Sequence, residues 1–297
     1  MGKLSSTFLH LRIPFSYFLL PIFLFSLAIS PNITIGSLGW TFFIIHFLLY
    51  PASNGYNSYF DKDEQSIGVL KNPPPVNTSL YYVSLTLDLV AVILGLVKIS
   101  LTFAVMLLIY GLVSKAYSHP SIRLKKYAVT SWLITGIFQG LFTFLMCYIG
   151  VNRFAFDIAL RPVVLYAGLL TTLMLWANYP MTQIYQHEED ARHGDRTMSM
   201  LLGKRGTFIF TAALFAIVVP GFFVYLSSWF SVRYAFLFVI ALSPVVLFFA
   251  WWFYAAVRDA SKADYSKTMW LNFISATCLN LFFIYFFLNS SRILDAL

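Results

Sequence analysis

Nine stretches of about twenty residues in this chain are apolar all the way round, which fixes the solvent in which it can fold. They lie near residues 13–31, 38–57, 79–97, 100–116, 128–149, 159–180, 206–227, 232–256 and 268–289. Hydrophobic residues make up 59% of the chain and charged residues 11%, where a soluble domain carries about 25% charge. The mean hydropathy is +0.76. Lipid offers no hydrogen bonds, so each run must satisfy its backbone internally, which selects helix. The expected fold is all-α: a polytopic membrane protein, a bundle of nine transmembrane helices with a cytoplasmic-side polar cavity, in a single domain over residues 1–297. The first run follows Lys3 and Arg12. It is too long for a signal peptide and lacks a small-residue cleavage site.

Helix breakers stand between the runs: Pro31, the Pro73–Pro75 triplet, Pro120, and Gly203 with Gly206. Pro180 closes the sixth run, while Pro220 and Pro244 predict kinks in the seventh and eighth. Fifteen of the 20 basic residues fall at the amino terminus and in the loops after runs two, four, six and eight. Lys98, Arg153, Arg161, Arg233 and Arg292 fall on the other side. The positive-inside rule then puts the amino terminus in the cytoplasm and the carboxyl terminus outside, in a cell (inner) membrane. That topology accounts for most of the net charge of +8, so no nucleic-acid partner is expected. Cys147 and Cys278 lie inside runs, in no metal or redox spacing.

Six of the 12 acidic residues sit in two clusters, both in loops assigned to the cytoplasmic side. In the first, a helix leaving run two would align Asn57, Asp61 and Gln65 at four-residue steps, with Glu64 sharing the face and Asp63 adjacent. In the second, Gln183, Gln186 and Asp190 follow a similar step, Glu189 lies beside that face, and Gly194 ends the run. Arg192, Arg196, Thr197, Lys204 and Arg205 come directly after. An amide oxygen with one or two carboxylates suits Mg²⁺, which takes its remaining ligands from substrate phosphate. The competing reading is a pair of solvated, self-neutralising helix ends. A third loop carries Lys115, Tyr117, Arg123, Lys125 and Lys126. Arg123 could act as a fork and the lysines as point charges on a phosphate, although the positive-inside rule would place basic residues there anyway.

Together these motifs resemble the UbiA superfamily of intramembrane prenyltransferases. The family's first motif, Asn-Asp-x-x-Asp-x-x-x-Asp, is matched by Asn57 and Asp61, with Ser58 and Gln65 in place of two acids. Its second motif, Asp-x-x-x-Asp followed by Gly, is matched by Asp190 and Gly194, with Gln186 in place of the leading Asp; Arg196, Thr197 and Gly203 also fit. Tyr117-Ser118-x-Pro120 with Arg123-Leu124-Lys125-Lys126 resembles the family's Tyr-Ser-x-Pro-Pro-x-Arg-Leu-Lys loop, and Lys71-Asn72-Pro73 stands where many members have Arg-Pro.

The resemblance implies Mg²⁺-dependent transfer of a prenyl group from a polyprenyl diphosphate to a small hydrophobic or aromatic acceptor within the lipid. It implies metal ligands among Asn57, Asp61, Glu64, Gln186, Glu189 and Asp190, with Asp61, Asp190, Arg123 and Lys125 as catalytic residues. Lys71, Tyr117, Arg123, Lys125, Lys126 and Arg196 would hold the diphosphate, and Tyr59, Phe60 and Trp176 could shield the allylic cation. Gln65 and Gln186 are departures that remove negative charge from the metal sites. A secondary transporter or a catalytically silent relative are the alternatives; no internal repeat of the transporter kind is evident. Among polar residues inside runs, Asp88 is expected to contact acceptor or pair with Lys98, and His46 and Asn178 to be satisfied between helices.

Overall fold

The computed structural model describes residues 3–291; Arg292 and the carboxyl terminus lie outside the described residues. No strand occurs among them beyond one isolated bridge between Ile67 and Leu70. Eight helices are long and apolar enough to cross a membrane, and a bent helical pair near the amino terminus makes a ninth if it is one span.

That first span is broken. Helix α1 (Lys3–His10) and a 3₁₀ turn (Ile13–Phe18) lead into α2 (Leu20–Ala28), with a bend of 43°. Pro14 and Pro21 sit at the first positions of their segments, where a missing N–H costs no hydrogen bond. Arg12 lies at the break with φ 45°. Ser6 donates to the Pro75 carbonyl at 2.7 Å, and His10 Nε2 lies 2.7 Å from the Pro74 carbonyl, so α1 clasps the proline loop.

The remaining spans are α3 (Ile35–Asp61), α4 (Ser79–Lys98), α5 (Leu101–Ser118) and α6 (Ala128–Asn152). After a short α7 (Phe156–Ala159) come α8 (Pro162–Gln183), the six-residue α9 (His187–Arg192), α10 (Met198–Trp229), α11 (Val232–Arg258) and α12 (Tyr265–Ser290). Gly203, at φ 66°, breaks α10 ahead of its long apolar part. Pro180 lies inside α8, whose helix runs on to Gln183, rather than closing it. Pro244 opens the second half of α11 after Leu242.

The bundle interior is packed with aromatic rings. Phe25 of α2 stacks on Phe283 of α12 and meets Phe144 of α6 and Phe222 and Tyr225 of α10. Outward faces of α4 and α11 stay apolar and exposed, as helices bathed in lipid require. Two wide turns interrupt the regular ladder: Ile44–Leu49 in α3 and Ile137–Phe142 in α6. At the second, the Leu141 N–H donates to Thr172 Oγ1 at 2.9 Å. Gly140 permits the approach, because a Cβ there would stand 2.6 Å from the Thr172 Cα.

Some polar groups inside the spans are partnered, whereas His46 Nε2 and both side-chain amide atoms of Asn280 are buried without a hydrogen bond. Asp88 pairs with Lys115 of α5, not Lys98 as the sequence suggested. Lys98 is ten residues away at the helix end and lies over the Trp40 ring at 5.1 Å. His46 is enclosed by Phe23, Phe42 and Tyr50, and Asn178 donates to Asn272 at 3.4 Å.

Candidate active site

The two acidic stretches meet at one end of the bundle. The Glu64 N–H donates to Glu189 Oε1 at 3.0 Å across a sequence separation of 125. Beside this contact lies a cavity of about 180 Å³, whose charged lining is Asp61, Asp63, Asp190 and Asp195 against Arg12 and Lys125. Asn57, Tyr117 and Gln186 also line it.

Each aspartate arrives by a different local device. Asp61 is the last residue of α3 and is buried, because Lys62 turns left-handed at φ 52° and ends the helix. That early stop corrects the sequence reading for Glu64 and Gln65. Neither continues the helical face, and both are exposed. Asp63 enters the cavity from the non-helical chain beyond. Asp190 sits in α9, and Gly194, at φ 72°, folds the chain back so that the Asp195 N–H donates to the Asp190 carbonyl at 2.9 Å. Asp195 is thereby only 4% exposed.

The cations come from the loop between α5 and α6. Arg123, itself left-handed at φ 45°, grips Asp195 as a fork, Nε to Oδ1 at 2.8 Å and Nη2 to Oδ2 at 2.9 Å. Its Nη1 stands 3.6 Å from Asp61. Lys125 bonds Asp61 and stands 3.4 Å from Asp195 Oδ2. Burial alone would lower the pKa of either cation, but these aspartates outweigh it and raise both. The Asn57 Oδ1 accepts from Ser118 at 2.8 Å, tying α3 to α5, and the Tyr117 and Tyr179 hydroxyls bond each other.

Asp190 differs from its neighbours. Its Oδ2 is buried without a hydrogen-bond partner. Burial first, then the charges of Asp195, Asp63 and Asp61, push its pKa up to about 7 against the partial relief from Lys125. Burial and Asp61 likewise raise Asp63. A carboxylate in that state is short of positive charge. A second set of donors, from Asp63, Glu189 and His193, lies at the rim with ligand atoms within 4.8 Å of one another.

Several sequence candidates lie elsewhere. Lys71, Lys126 and Arg196 are exposed and line no described cavity. Lys126 folds over the Tyr127 ring, its carbonyl accepting from the Arg196 N–H. Leu124–Lys126 form a 3₁₀ turn, in which successive side chains point about 120° apart, so Lys125 enters the cavity and Lys126 does not. Glu189 is buried but spends one oxygen on the Glu64 amide and faces Arg192 with the other at 3.4 Å. Tyr59 and Phe60 pack with Tyr81 and Trp176 packs against Trp132, and none of the three lines the cavity. The cavity rings are instead Phe15, Tyr117, Tyr179 and Tyr185. Sequence reasoning also missed Arg12 and Asp195. For Asp195 a signal existed: a scarce acid directly after the glycine that ends the second cluster.

A sequence profile described as the UbiA prenyltransferase family matches residues 18–276. The chain belongs to the UbiA prenyltransferase family. No curated protein sequence matches it significantly. Among solved structures, a UbiA homologue from Archaeoglobus fulgidus, bound to DMAPP and Mg²⁺, superposes with a TM-score of 0.65 at 15% identity. It covers 98% of this chain and 100% of that one. The same homologue bound to GPP and Mg²⁺ gives 0.65 at 16% identity, covering 97% and 100%. A digeranylgeranylglyceryl phosphate synthase gives 0.61 at 18% identity, covering 99% and 100%. At these identities the likeness is one of fold, and it makes this chain a multi-pass bundle of the UbiA kind.

Proposed function

We propose that this UbiA member transfers a prenyl group, within the membrane, from a prenyl diphosphate to a small acceptor, as one domain with Mg²⁺ as its metal. The observation that carries the reading is the buried, unpartnered Asp190 Oδ2 in a cavity where four aspartates face two lining cations. A cavity with excess carboxylate suits divalent ions, and one with forked and point cations beside it suits a diphosphate. The A. fulgidus homologue's DMAPP and Mg²⁺ support the same assignment.

The donors available fit a hard cation: carboxylates of Asp61, Asp63 and Asp190 and the amide oxygens of Asn57 and Gln186. The chemistry that such an ion supplies is neutralisation of the diphosphate as it leaves. In the proposed step the C1–O bond breaks heterolytically, with both electrons going to the diphosphate oxygen. Arg123 and Lys125 exchange Asp61 and Asp195 for the departing oxygens, an electrostatic role of the kind that dominates many catalytic sites. Phe15, Tyr117, Tyr179 and Tyr185 offer ring faces to the allylic cation. The acceptor forms the new bond to C1 and loses its proton to the diphosphate. Asn272 lines both the polar cavity and an apolar pocket of about 80 Å³, which adjoins another of about 420 Å³ at Phe215 and Val245. This apolar space suits the prenyl tail. The basic bias of the loops supports a cytoplasmic mouth, in a cell membrane.

The test is pyrophosphate release by purified protein with Mg²⁺, DMAPP or GPP, and a panel of acceptors. Asp61→Ala and Asp190→Ala should each lower turnover by at least about a hundredfold, the scale on which supporting groups at metal sites act. Wild-type turnover in both variants would end the assignment.

A further inference from the structure

Helix α1 is amphipathic the wrong way round for water. Successive residues of a helix turn by about 100°. Ser6, Thr7 and His10 therefore share one side of Lys3–His10, and Leu4, Ser5, Phe8 and Leu9 share the other. The polar side is the buried one. On the outward side Leu4 is 72% exposed, Phe8 64% and Leu9 39%, with Ser5 the one polar residue among them. A surface helix in water does the opposite, burying its apolar stripe and showing its polar one. The medium outside α1 is therefore not bulk water.

The inward contacts fix the depth of the helix. Ser6 and His10 meet the Pro75 and Pro74 carbonyls, and the Thr7 and Ser79 hydroxyls bond each other at 2.8 Å. Ser79 opens span α4, and Tyr82, one turn further and 64% exposed, begins the apolar face that α4 turns to lipid. The loop 62–78, which α1 clasps, carries Lys62, Glu64, Gln65 and Lys71, all exposed. Such groups stay out of the hydrocarbon. Held between that loop and the start of α4, α1 lies where acyl chains meet headgroups. The chain bends by 43° between this end and α2, so α1 leaves the line of the span.

We infer that α1 docks on the bilayer surface, with Leu4, Phe8 and Leu9 seated in the lipid leaflet at the cavity end, and that it straps the cavity wall to that surface. Helices with one apolar face bury it at the boundary between headgroups and acyl chains. Lipid is the occupant because the adjoining protein surface is already lipid-facing: Tyr82, Leu85 and Leu89 of α4 are exposed and apolar in the same way. The strap follows from what the inward face holds. The loop 62–78 sends Asp63, Ile67 and Gly68 into the cavity lining, and Arg12, two residues beyond the end of α1, lines it as well. The leaflet thus bears on the cavity wall through one short helix. This holds whatever reaction the cavity performs.

The experiment reads depth and strap separately on the full chain in phosphatidylcholine nanodiscs. For depth, a spin label is attached at Leu4→Cys or Phe8→Cys in a Cys147→Ala, Cys278→Ala background, each variant checked for a wild-type melting midpoint. Lys71→Cys marks water, and Leu247→Cys, 71% exposed on α11, marks lipid. Collisions with oxygen, which concentrates in lipid, are compared with collisions with a water-soluble nickel chelate. The oxygen-to-nickel ratio at residues 4 and 8 should exceed that at 71 severalfold and approach that at 247. For the strap, amide exchange is followed at Ile67 and Leu70, whose N–H groups bond each other's carbonyls. The double variant Leu4→Ser with Phe8→Ser, which keeps every inward contact, should speed that exchange about tenfold as the lost anchor eases opening of the loop. A water-like ratio at both labels would overturn the docking. So would shielding from oxygen and nickel alike, which a protein partner would give. Unchanged exchange at Ile67 and Leu70 would overturn the strap.

Discussion

Asp190→Asn should make the metal-free protein more stable at pH 8 while abolishing its response to Mg²⁺. In the folded chain the Asp190 carboxyl, buried among Asp195, Asp63 and Asp61, titrates at about 7 instead of 3.8. A carboxyl with the higher pKa when folded holds its proton more tightly folded than unfolded. Its contribution therefore favours the fold in acid and turns against it as pH rises from about 4 to 7. Above that window the full penalty for ionising it is at most about 4 kcal/mol. The asparagine has nearly the same shape and never ionises. At pH 8 the apo variant should melt above apo wild type by several degrees, and at pH 4 the two should coincide. Millimolar Mg²⁺ should raise the wild-type midpoint and leave the variant's nearly unmoved. Because the proton must leave before a cation binds, the wild-type affinity for Mg²⁺ should weaken about tenfold per pH unit well below 7. Thermal melts in detergent across pH 4–8, with and without Mg²⁺, measure all of this. If the variant is no more stable than wild type at pH 8, or gains as much from Mg²⁺, Asp190 is not the uncompensated ligand described above.

The remaining predictions concern neighbouring groups. Arg123→Lys keeps the charge but loses the fork on Asp195, so it should cut turnover about tenfold, read as pyrophosphate release. Lys71→Ala, Lys126→Ala and Glu64→Ala, all exposed and outside the cavity, should each leave turnover within about twofold; a larger loss would return that residue to the site. Gly140→Ala would drive a Cβ into the Thr172 backbone and should destabilise the bundle by about 1–3 kcal/mol, seen as a lower melting midpoint.

The spans were legible because lipid imposes one simple demand, long apolar helices, and most runs lie within a few residues of the helices found. The break in the first span was not, because Ile13–Phe18 is as apolar as its neighbours and only its backbone hydrogen bonding differs. In the site, what could be read were residues delivered by helix ends: Asn57, Asp61, Gln186 and Asp190 all reach the cavity. What escaped depended on left-handed turns at non-glycine residues. Lys62 stops α3 one residue after Asp61, and Arg123 opens the short 3₁₀ turn that aims Lys125 inward. Neither lysine nor arginine announces such a turn. Arg12 escaped for the same reason, since its left-handed turn stands just ahead of the first apolar run.

The ion pairs joining Arg123 and Lys125 to Asp61 and Asp195 link the cavity's acids to its bases. On the proposed prenyl-transfer reading, an arriving anionic donor would not fill a bare positive hole; it would displace two acids from two bases, freeing the acids for whatever cations accompany it. When the anion departs, the same four side chains can rejoin. Substrate entry would then be a partner swap, and the catalytic cycle would close by restoring the pairs with which it began.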